Sequence, residues 1–509
     1  MRKILLAACL LVIPTSASAQ QAQFRAFWVD AFHGGIKTRT EVDALVARAR
    51  SANINALVVQ VRRRGDAYFL TSVDPFTEDP QVEAGFDPLQ YLIDRAHAVG
   101  IQVHAWIIAN AVWGPSVSPN PPSSQTHVFN LHGPSSPENE NWLTRSRSGA
   151  DRFGDYWVDP GNPAAAEYLV QVVRNLAASY QVDGIHFDRI RYPETDLTQG
   201  GYDIGYNSAS VQRFNRATGR TGNPAVSDPE WSSWRRLQMT HLFRRLYLEI
   251  MDVNPRLRVS AALIAFGAPP AGNNWTTSDA FNRVFQDWQE WLRLGILDIA
   301  MPMHYDRDHV SLQKSWFDGW IQFDKDRKFA RHLVVGQGAF LNSIEASLSQ
   351  TRRVAQFTPA GNAADGIIFY SYATTNAATD TTPLRENTDF YAALSTETRY
   401  DSLNDPVFKT EAPLPEMSWK TSEAMLLGRV LDAMKQPIDG ADVILRWSSG
   451  TETMRSDGNG FFGIARLPEG VVEITIRAGG VSRSFNAHVQ PGTVKRQVFI
   501  LSPPARRRP

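Results

Sequence analysis

Short apolar runs recur along the first three quarters of the chain, and segments with a different periodicity separate them. Each run is rich in aliphatic, β-branched and aromatic residues and has the length of a buried strand. Between most of the runs, apolar residues recur with the 3.6-residue period of a helix. The eight runs begin at Phe24, Asn55, Ile101, Asp183, Arg258, Leu297, Leu333 and Gly366.

Helix start and stop signals support the helical segments. Thr40-x-x-Asp43 lies at the beginning of the segment 38–52, and Asp87-Pro88 begins the segment 87–99, which Gly100 ends. The same periodicity predicts further helices at about 163–180, 229–253, 278–294, 311–330, 342–357 and 383–395.

Eight strands that are each followed by a helix predict a (β/α)8 TIM barrel. The alternative is a doubly wound sheet, which has fewer strands and a glycine-rich phosphate turn after the first one. Here the first strand is followed by "DAFHGG", which does not match the dinucleotide fingerprint. We therefore predict an α/β barrel over residues 22–395.

The composition changes after the barrel. Residues 396–421 are polar, contain three prolines and lack periodicity, which predicts a linker. Beyond it, alternating segments such as "GVVEITIRAGG" are separated by Gly, Asp, Asn and Pro turns. This pattern predicts a small all-β sandwich of about seven strands, transthyretin-like or Ig-like, over residues 422–503.

The first residues have the pattern of a signal peptide, predicted over residues 1–19. Arg2 and Lys3 precede an apolar run that ends at Ile13, and Ala17-Ser18-Ala19 fits the cleavage site. We expect export to the periplasm or secretion, and no membrane insertion once this segment is removed. A lipoprotein box that ends at Cys9 is the alternative, but its apolar region is short.

Cysteine and charge exclude several function classes. The single cysteine lies in the signal peptide, so the mature chain has no disulfide and no thiolate nucleophile. Lys+Arg and Asp+Glu both number 52, so a nucleic-acid partner is not expected. The 14 tryptophans either stack on sugar rings or fill the core.

A barrel carries its active site at the C-terminal ends of its strands. Seven of the eight predicted strand ends here carry polar or aromatic side chains, which favours an enzyme. The residues that we expect to bind substrate there are Trp28, Asp30, Arg62, Asp66, His104, Trp106, Asn110, His186, Arg189, Arg191, His304, Tyr305, Gln337 and Tyr370.

The stretch "DGIHFDRIRYP" supplies the main catalytic candidate, Asp188. Side chains alternate along a strand, so Ile185 and Phe187 face the helices while His186 and Asp188 share the other face. A carboxyl at the barrel mouth can act as nucleophile, charge stabiliser or general acid, depending on its surroundings. The alternative is that Asp188 only forms a buried salt bridge with a neighbouring arginine.

The histidines raise the possibility of a metal-dependent hydrolase or deacetylase. Catalytic zinc sites usually show paired ligands at short spacing. His33, His104, His186 and His304 are isolated in the sequence, and only "HYDRDH" is dense. We therefore expect no metal and no other cofactor.

Several blocks resemble the glycosyl-hydrolase-like family 10. They are "FRAFWVD", "NALVVQVRRRGDAYF", "RAHAVGIQVHAWI", "WVDPGNP", "YQVDGIHFDRIRYP", "LDIAMPMHY", "VVGQGAF" and "GIIFYSY", in order over about residues 24–395. The resemblance implies a (β/α)8 barrel that hydrolyses glycosidic bonds of a bacterial polysaccharide, with peptidoglycan glycan strands as the substrate class. "GRVLDAMKQPIDGADVIL" resembles a carboxypeptidase regulatory-like domain, which implies an accessory sandwich without catalytic residues.

The sequence departs from this family at one position. Many members have a second aspartate directly after the strand-four acid, where this chain has Arg189. Only Asp188 therefore takes over the catalytic role that the resemblance implies.

Glycoside hydrolysis generally needs two carboxyl groups. We predict Asp306 as the second catalytic residue because it follows strand six across the mouth, and the other candidates are Asp30, Asp66 and Glu194. Asp298 begins its strand and is expected at the wrong end of the barrel. An N-acetyl group of the substrate is a further alternative, and a glycan-binding barrel without catalysis also stays open.

Overall fold

A computed structural model describes residues 22–117, 119–194, 203–377 and 387–502. The predicted signal peptide, its alternative lipoprotein box and the end of the chain lie outside these ranges. Within them, no helix has the length and apolar character that crossing a membrane requires.

Eight parallel strands close into a barrel, as the alternating pattern predicts. The barrel strands are β1 Phe24–Val29, β2 Ala56–Arg62, β3 Gln102–Ile108, β7 Gly184–Asp188, β8 Arg258–Leu263, β9 Ile299–His304, β10 His332–Gly338 and β11 Gly366–Tyr370. β1 pairs with β2 on one side and with β11 on the other, where Phe24 lies opposite Gly366 and completes the ring. The remaining neighbours follow in the order β11, β10, β9, β8, β7, β3 and β2.

Side chains alternate between two apolar cores along these strands. On β1, Phe24, Ala26 and Trp28 belong to the cluster inside the barrel, whereas Phe27 and Val29 pack outward against the helices. This two-residue period explains why the strands read as continuous apolar runs, since both of their faces are covered.

The helices form the outer layer. The second one begins at the predicted Asp87, whose carboxylate accepts a hydrogen bond from Gln90 N. The first one is capped by Thr38, whose Oγ1 accepts a hydrogen bond from Glu41 N, and not by the predicted Thr40. The helices are α1 Arg39–Ser51, α2 Pro88–His97, α3 Val128–His132, α4 Pro163–Ser179, α5 Ser208–Thr218, α6 Pro229–Val253, α7 Asp279–Asn282, α8 Trp288–Arg293, α9 Ser311–Lys325, α10 Ile344–Ala355, α11 Asn387–Ser395 and α12 Trp419–Ser422.

The prediction of one helix over 278–294 is wrong. The segment forms two short helices, α7 and α8, because Phe285 between them has a left-handed φ of 54° that ends a right-handed helix. The apolar period continues across this break, so the periodicity alone could not locate it.

An insertion between β3 and β7 builds one wall above the barrel mouth. It contains a small antiparallel sheet of β4 Ala111–Trp113, β5 Arg152–Phe153 and β6 Asp155–Trp157. These strands were not predicted, because two or three residues are too few to show a period.

The predicted linker lies across the N-terminal end of the barrel. Leu414 and Met417 pack against the cluster inside the barrel. Trp419 Nε1 donates a hydrogen bond of 2.7 Å to Asp298 Oδ1, and Lys420 Nζ lies 2.5 Å from Asp298 Oδ2. Asp298 is therefore at the end opposite the mouth, as the sequence predicts.

The C-terminal sandwich has the seven strands that the pattern predicts. One sheet has the order β15-β12-β18 and the other β14-β13-β16-β17, and the two enclose a core that includes Leu426, Val443, Ile474 and Phe499. The strands are β12 Ala424–Asp432, β13 Asp442–Trp447, β14 Gly450–Arg455, β15 Phe461–Leu467, β16 Gly470–Ala478, β17 Val481–Val489 and β18 Val494–Leu501.

The sandwich covers the outer face of α6. The guanidinium of Arg245 lies 3.1 Å from the centre of the Phe461 ring, and Arg496 forms ion pairs with Glu249 and Asp252. These contacts attach the sandwich to the side of the barrel.

Candidate active site

A pocket of about 220 Å³ opens at the C-terminal ends of the barrel strands. It contains seven of the residues predicted from the sequence, namely Trp28, Trp106, Asp188, Arg189, Arg191, Tyr305 and Tyr370. It is also lined by Phe32, Gln60, Arg63, Arg64, Ile108, Ala262 and Met303.

Aromatic rings form the walls of this mouth pocket. Tyr305 and Tyr370 stack with ring centres 5.7 Å apart, and Trp28 lies edge-on to both of them. Trp106 contacts Tyr370 at 6.4 Å. A Cβ atom at Gly336 would lie 2.6 Å from the Trp28 ring, so only glycine leaves room for this tryptophan.

His186 holds Trp28 in place from below. Trp28 Nε1 donates to His186 Nε2 at 3.1 Å, so the imidazole proton is on Nδ1 and is donated to Ser260 Oγ at 2.9 Å. Burial lowers the pKa of His186 to about 3, which keeps the ring neutral. The histidine does not line the pocket, so the structure places it behind the wall and not against the substrate.

Asp188 is at the end of β7 with its carboxyl group in the pocket. Its Oδ1 accepts a hydrogen bond of 2.6 Å from Arg189 N. Burial raises the pKa of Tyr305 and of Tyr370, and smaller contributions come from Tyr370 and Asp188 for Tyr305 and from Asp30 and Asp188 for Tyr370. Burial lowers the pKa of Arg191, and the Asp188 charge opposes that change. These influences place the carboxylate among the pocket's aromatic and cationic side chains.

Arg189 occupies the position where many family members have a second aspartate. Its backbone is left-handed, with φ 49°, and its guanidinium forms an ion pair with Asp155 on β6. Asp155 is shared with Arg64, whose Nε lies 3.5 Å away. Arg189 also lies over the Trp157 ring at 5.3 Å. Where many family members have a second aspartate, this chain therefore has an arginine, and its charge is paired with a carboxylate of the insertion.

Two predicted residues are buried below the pocket. Arg62 donates from Nε to Asp74 Oδ2 at 2.7 Å and is fully buried, so it fixes the rim of the barrel. His104 lies inside the barrel with its ring edge-on to Phe24 at 5.3 Å. A substrate-binding role for either side chain is not supported by this placement.

Two other residues that were predicted to bind substrate, His304 and Gln337, face the helices instead of the barrel interior. His304 Nε2 lies 2.9 Å from Asp324 on α9, and Gln337 Nε2 donates to Gln350 Oε1 on α10 at 2.7 Å. Side chains alternate along β9 and β10, so these residues point outward when Met303 points inward. They attach α9 and α10 to the barrel. Because both side chains point away from the barrel interior, their position does not support the predicted contact with substrate.

Asp306, the predicted second catalytic residue, does not line the mouth pocket. Its residue surface is only 7% exposed, and burial raises its pKa to about 6. Its backbone carbonyl accepts hydrogen bonds from Asn342 and Gln350. Its catalytic role stays a prediction. Its location outside the mouth pocket does not support that role.

The remaining acidic and amide candidates have structural partners. Asp30 Oδ1 accepts three hydrogen bonds, from Phe32 N, His33 N and His33 Nδ1, while its Oδ2 is buried without a partner. Glu194 lies 3.4 Å from Arg283 at the surface. Asn110 Nδ2 donates to Arg191 O at 3.1 Å and orders the turn after β7.

Asp66 and the two arginines before it lie on the loop after β2. Asp66 lines a second cavity beside the mouth pocket, and its carboxylate accepts a hydrogen bond of 2.7 Å from Thr77 Oγ1. Arg63 and Arg64 line both cavities. The sequence instead predicts that Arg62, the first arginine of the same "RRRG", binds substrate. The pairing of β2 with β3 shifts register between Gln60 and Arg62, which breaks the alternation that a prediction would follow.

No group of three or more His, Asp or Glu side chains in the described part of the chain is arranged to hold a metal ion. A metal-dependent hydrolase therefore has no candidate ligand set among these residues.

Comparison with known proteins assigns the barrel to a family. The model of glycosyl hydrolase-like 10 matches residues 23–333, which is more than half of the chain. This chain belongs to that family. Membership supports a glycosidase-like function and a carbohydrate substrate. Residues 425–502 match the model of the carboxypeptidase regulatory-like domain, as the resemblance implies.

Two relatives that the chain resembles are named as glycosyl hydrolases. The chain is 26% identical over 274 residues to the glycosyl hydrolase DigH of Escherichia coli strain K12, which covers 50% of this chain and 54% of DigH. It is 22% identical over 356 residues to the glycosyl hydrolase YngK of Bacillus subtilis, covering 64% of this chain and 63% of YngK. The chain thus spans about half to two thirds of the length of these relatives.

The barrel also matches a solved structure. The glycoside hydrolase domain of PgaB (BpsB) from Bordetella bronchiseptica superposes with a TM-score of 0.50 at 14% identity, covering 70% of this chain and 96% of that domain. At this identity the match shows the fold alone.

Proposed function

We propose that this protein is an exported glycoside hydrolase that cleaves O-glycosidic bonds in the mouth pocket. The observation that carries the proposal is the carboxyl group of Asp188 at a barrel strand end, inside a pocket with aromatic walls. Aromatic faces suit sugar rings, and a carboxyl group supplies the acid, base or nucleophile that glycoside hydrolysis needs.

The number of carboxyl groups in the pocket bears on the mechanism. Within the described ranges, Asp188 is the one carboxylate that lines the mouth pocket. We propose that Asp188 donates a proton to the leaving oxygen while the oxygen of a substrate acetamido group attacks the anomeric carbon. The Asp188 carboxylate then accepts a proton from a water molecule that attacks the anomeric carbon, which breaks the bond from that carbon to the acetamido oxygen, restores the acetamido group and returns Asp188 to its acid form. A second carboxyl group is not required in this arrangement.

Peptidoglycan glycan strands are the proposed substrate. Their sugars carry the N-acetyl groups that this mechanism uses, and the family resemblance implies the same substrate class. Export fits this assignment, because the predicted signal peptide over residues 1–19 would deliver the protein to the compartment that contains the cell wall.

Digestion of purified glycan strands tests the proposal. The mature protein should release fragments that mass spectrometry identifies as products of glycosidic cleavage, whereas Asp188→Asn should release almost none. Asp442→Asn, a matched change at an exposed position of the sandwich, should behave as the unaltered protein does. Equal product release by the unaltered protein and by Asp188→Asn would contradict the assignment of Asp188.

A glycan-binding barrel without catalysis is the second candidate. It is favoured by the same observation, since a single carboxylate in the described pocket is fewer than most glycosidases use. It predicts saturable binding of glycan strands with no new reducing ends after prolonged incubation.

A further inference from the structure

A second cavity of about 200 Å³ lies beside the mouth pocket. Phe32, Arg63 and Arg64 line both cavities and form the boundary between them. The far side of the second cavity is built by the loop after β2 and by the insertion, which contributes Trp113 and His127. The two cavities are therefore neighbours that are separated by the side chains of Phe32, Arg63 and Arg64.

Positive charge predominates in the mouth pocket. Among the residues that the structure describes, four arginines and one carboxylate, that of Asp188, line it. Arg64 and Arg189 share the single carboxylate of Asp155 on the insertion, so these three residues keep one net positive charge. The guanidinium of Arg191 lies 5.5 Å from the centre of the Trp157 ring. Neither Arg191 nor Arg63 has a carboxylate within ion-pair distance in the part of the chain that the structure describes, and of these two only Arg63 lines both cavities.

Arg63 is held in place without using all its hydrogen-bond donors. Its guanidinium lies 4.3 Å from the centre of the Phe32 ring, and its Nη1 donates weakly to Tyr68 Oη at 3.5 Å. Its backbone N–H donates to Asp66 O at 3.3 Å, across a turn in which Gly65 has φ 80°. The Nε atom is buried and has no hydrogen-bond partner among the described residues, and no described residue accepts a hydrogen bond from Nη2. The guanidinium is therefore oriented in advance, and Nη2 is left as a donor for a ligand.

We propose that Arg63 binds a carboxylate of the substrate at the boundary between the two cavities. This inference rests on the proposed function and makes the substrate an acidic glycan, with a carboxylated sugar next to the bond that is cleaved. A guanidinium can match a carboxylate with up to two parallel hydrogen bonds, and contact of its face with Phe32 does not use its N–H groups. Phe32, which is 44% exposed, offers the adjoining apolar surface.

Binding measurements with the Asp188→Asn protein test this inference, because the glycan then stays intact. The probes are soluble glycan strands with free carboxylates and the same strands after their carboxylates have been converted to neutral amides. Adding Arg63→Gln should weaken binding of the acidic strands by about 10-fold to 100-fold, as expected when a charged hydrogen bond is lost. Binding of the amidated strands should change less than threefold.

Two further variants make the result specific. Arg39→Gln removes another arginine that lies over an aromatic ring, Phe86, but it is outside both cavities and should leave binding unchanged. Arg63→Lys keeps the charge without the planar fork and should give an intermediate loss. Circular dichroism checks that each variant is folded.

Three results would overturn the inference. They are unchanged binding of acidic strands by Arg63→Gln, an equal loss for acidic and amidated strands, and no saturable binding of acidic strands by Asp188→Asn. Failure of the proposed function looks different: the unaltered protein would release no new reducing ends, while the Arg63-dependent preference for carboxylated strands would persist.

Discussion

Replacing Asp306 by Asn should change the pH dependence of stability and leave turnover nearly intact. Burial raises the pKa of this carboxyl from an ordinary 3.8 to about 6, so the folded state disfavours its ionised form. Stability is therefore lost as the pH rises from 3.8 to 6, and the loss above pH 6 is about 3 kcal/mol at most. Linkage gives a loss of about 1.6 kcal/mol already at pH 5.

The neutral amide of Asn has no such titration. The stabilisation of Asp306→Asn over the unaltered protein should thus be about 1.4 kcal/mol larger, at most, at pH 8 than at pH 5. Urea denaturation followed by tryptophan fluorescence measures this difference at the two pH values. A difference that does not vary with pH would refute the assignment of a buried, high-pKa carboxyl. A loss of turnover by several orders of magnitude, with the fold intact, would instead restore Asp306 as the second catalytic residue.

Three further substitutions test other parts of the structure. Ser260→Ala removes the acceptor of the buried His186 N–H and should destabilise the barrel by about 1–3 kcal/mol in urea denaturation; an unchanged midpoint would contradict the assigned hydrogen bond. Asp155→Asn leaves two mouth arginines without their shared carboxylate and should change KM for glycan strands about 10-fold, whereas an unchanged KM would mean that the arginines do not contact substrate. Lys420→Met leaves Asp298 buried without its cation and should cost about 3–5 kcal/mol in thermal or urea unfolding; a smaller cost than that of Ser260→Ala would argue against the linker's role in closing the barrel.

The barrel was predictable because its pattern is regular. Eight apolar runs alternate with helical segments, and a parallel sheet covered on both faces requires runs of this kind. The ends of strands could therefore be located, which brought Trp28, Trp106, Asp188 and Tyr370 correctly to one rim.

Other features depended on information that a local pattern does not contain. His304 and Gln337 lie at strand ends, but their position in the alternation turns them toward the helices. Asp155 and Trp157 lie on a strand of three residues, and only the fold brings them beside Arg189. Gly336 carried a usable signal, since a glycine within a barrel strand often marks the close approach of a bulky group.

The most direct test of the account is the steady-state rate of glycan cleavage by the unaltered protein and by Asp188→Asn, measured as new reducing ends. The Asn oxygen can still accept the hydrogen bond from Arg189 N, so the fold and the pocket should persist. Because a positioned acid contributes about 10²-fold to 10⁴-fold, kcat should fall by that factor while KM changes little. A folded Asp188→Asn protein that cleaves the same strands at a similar rate would contradict the account.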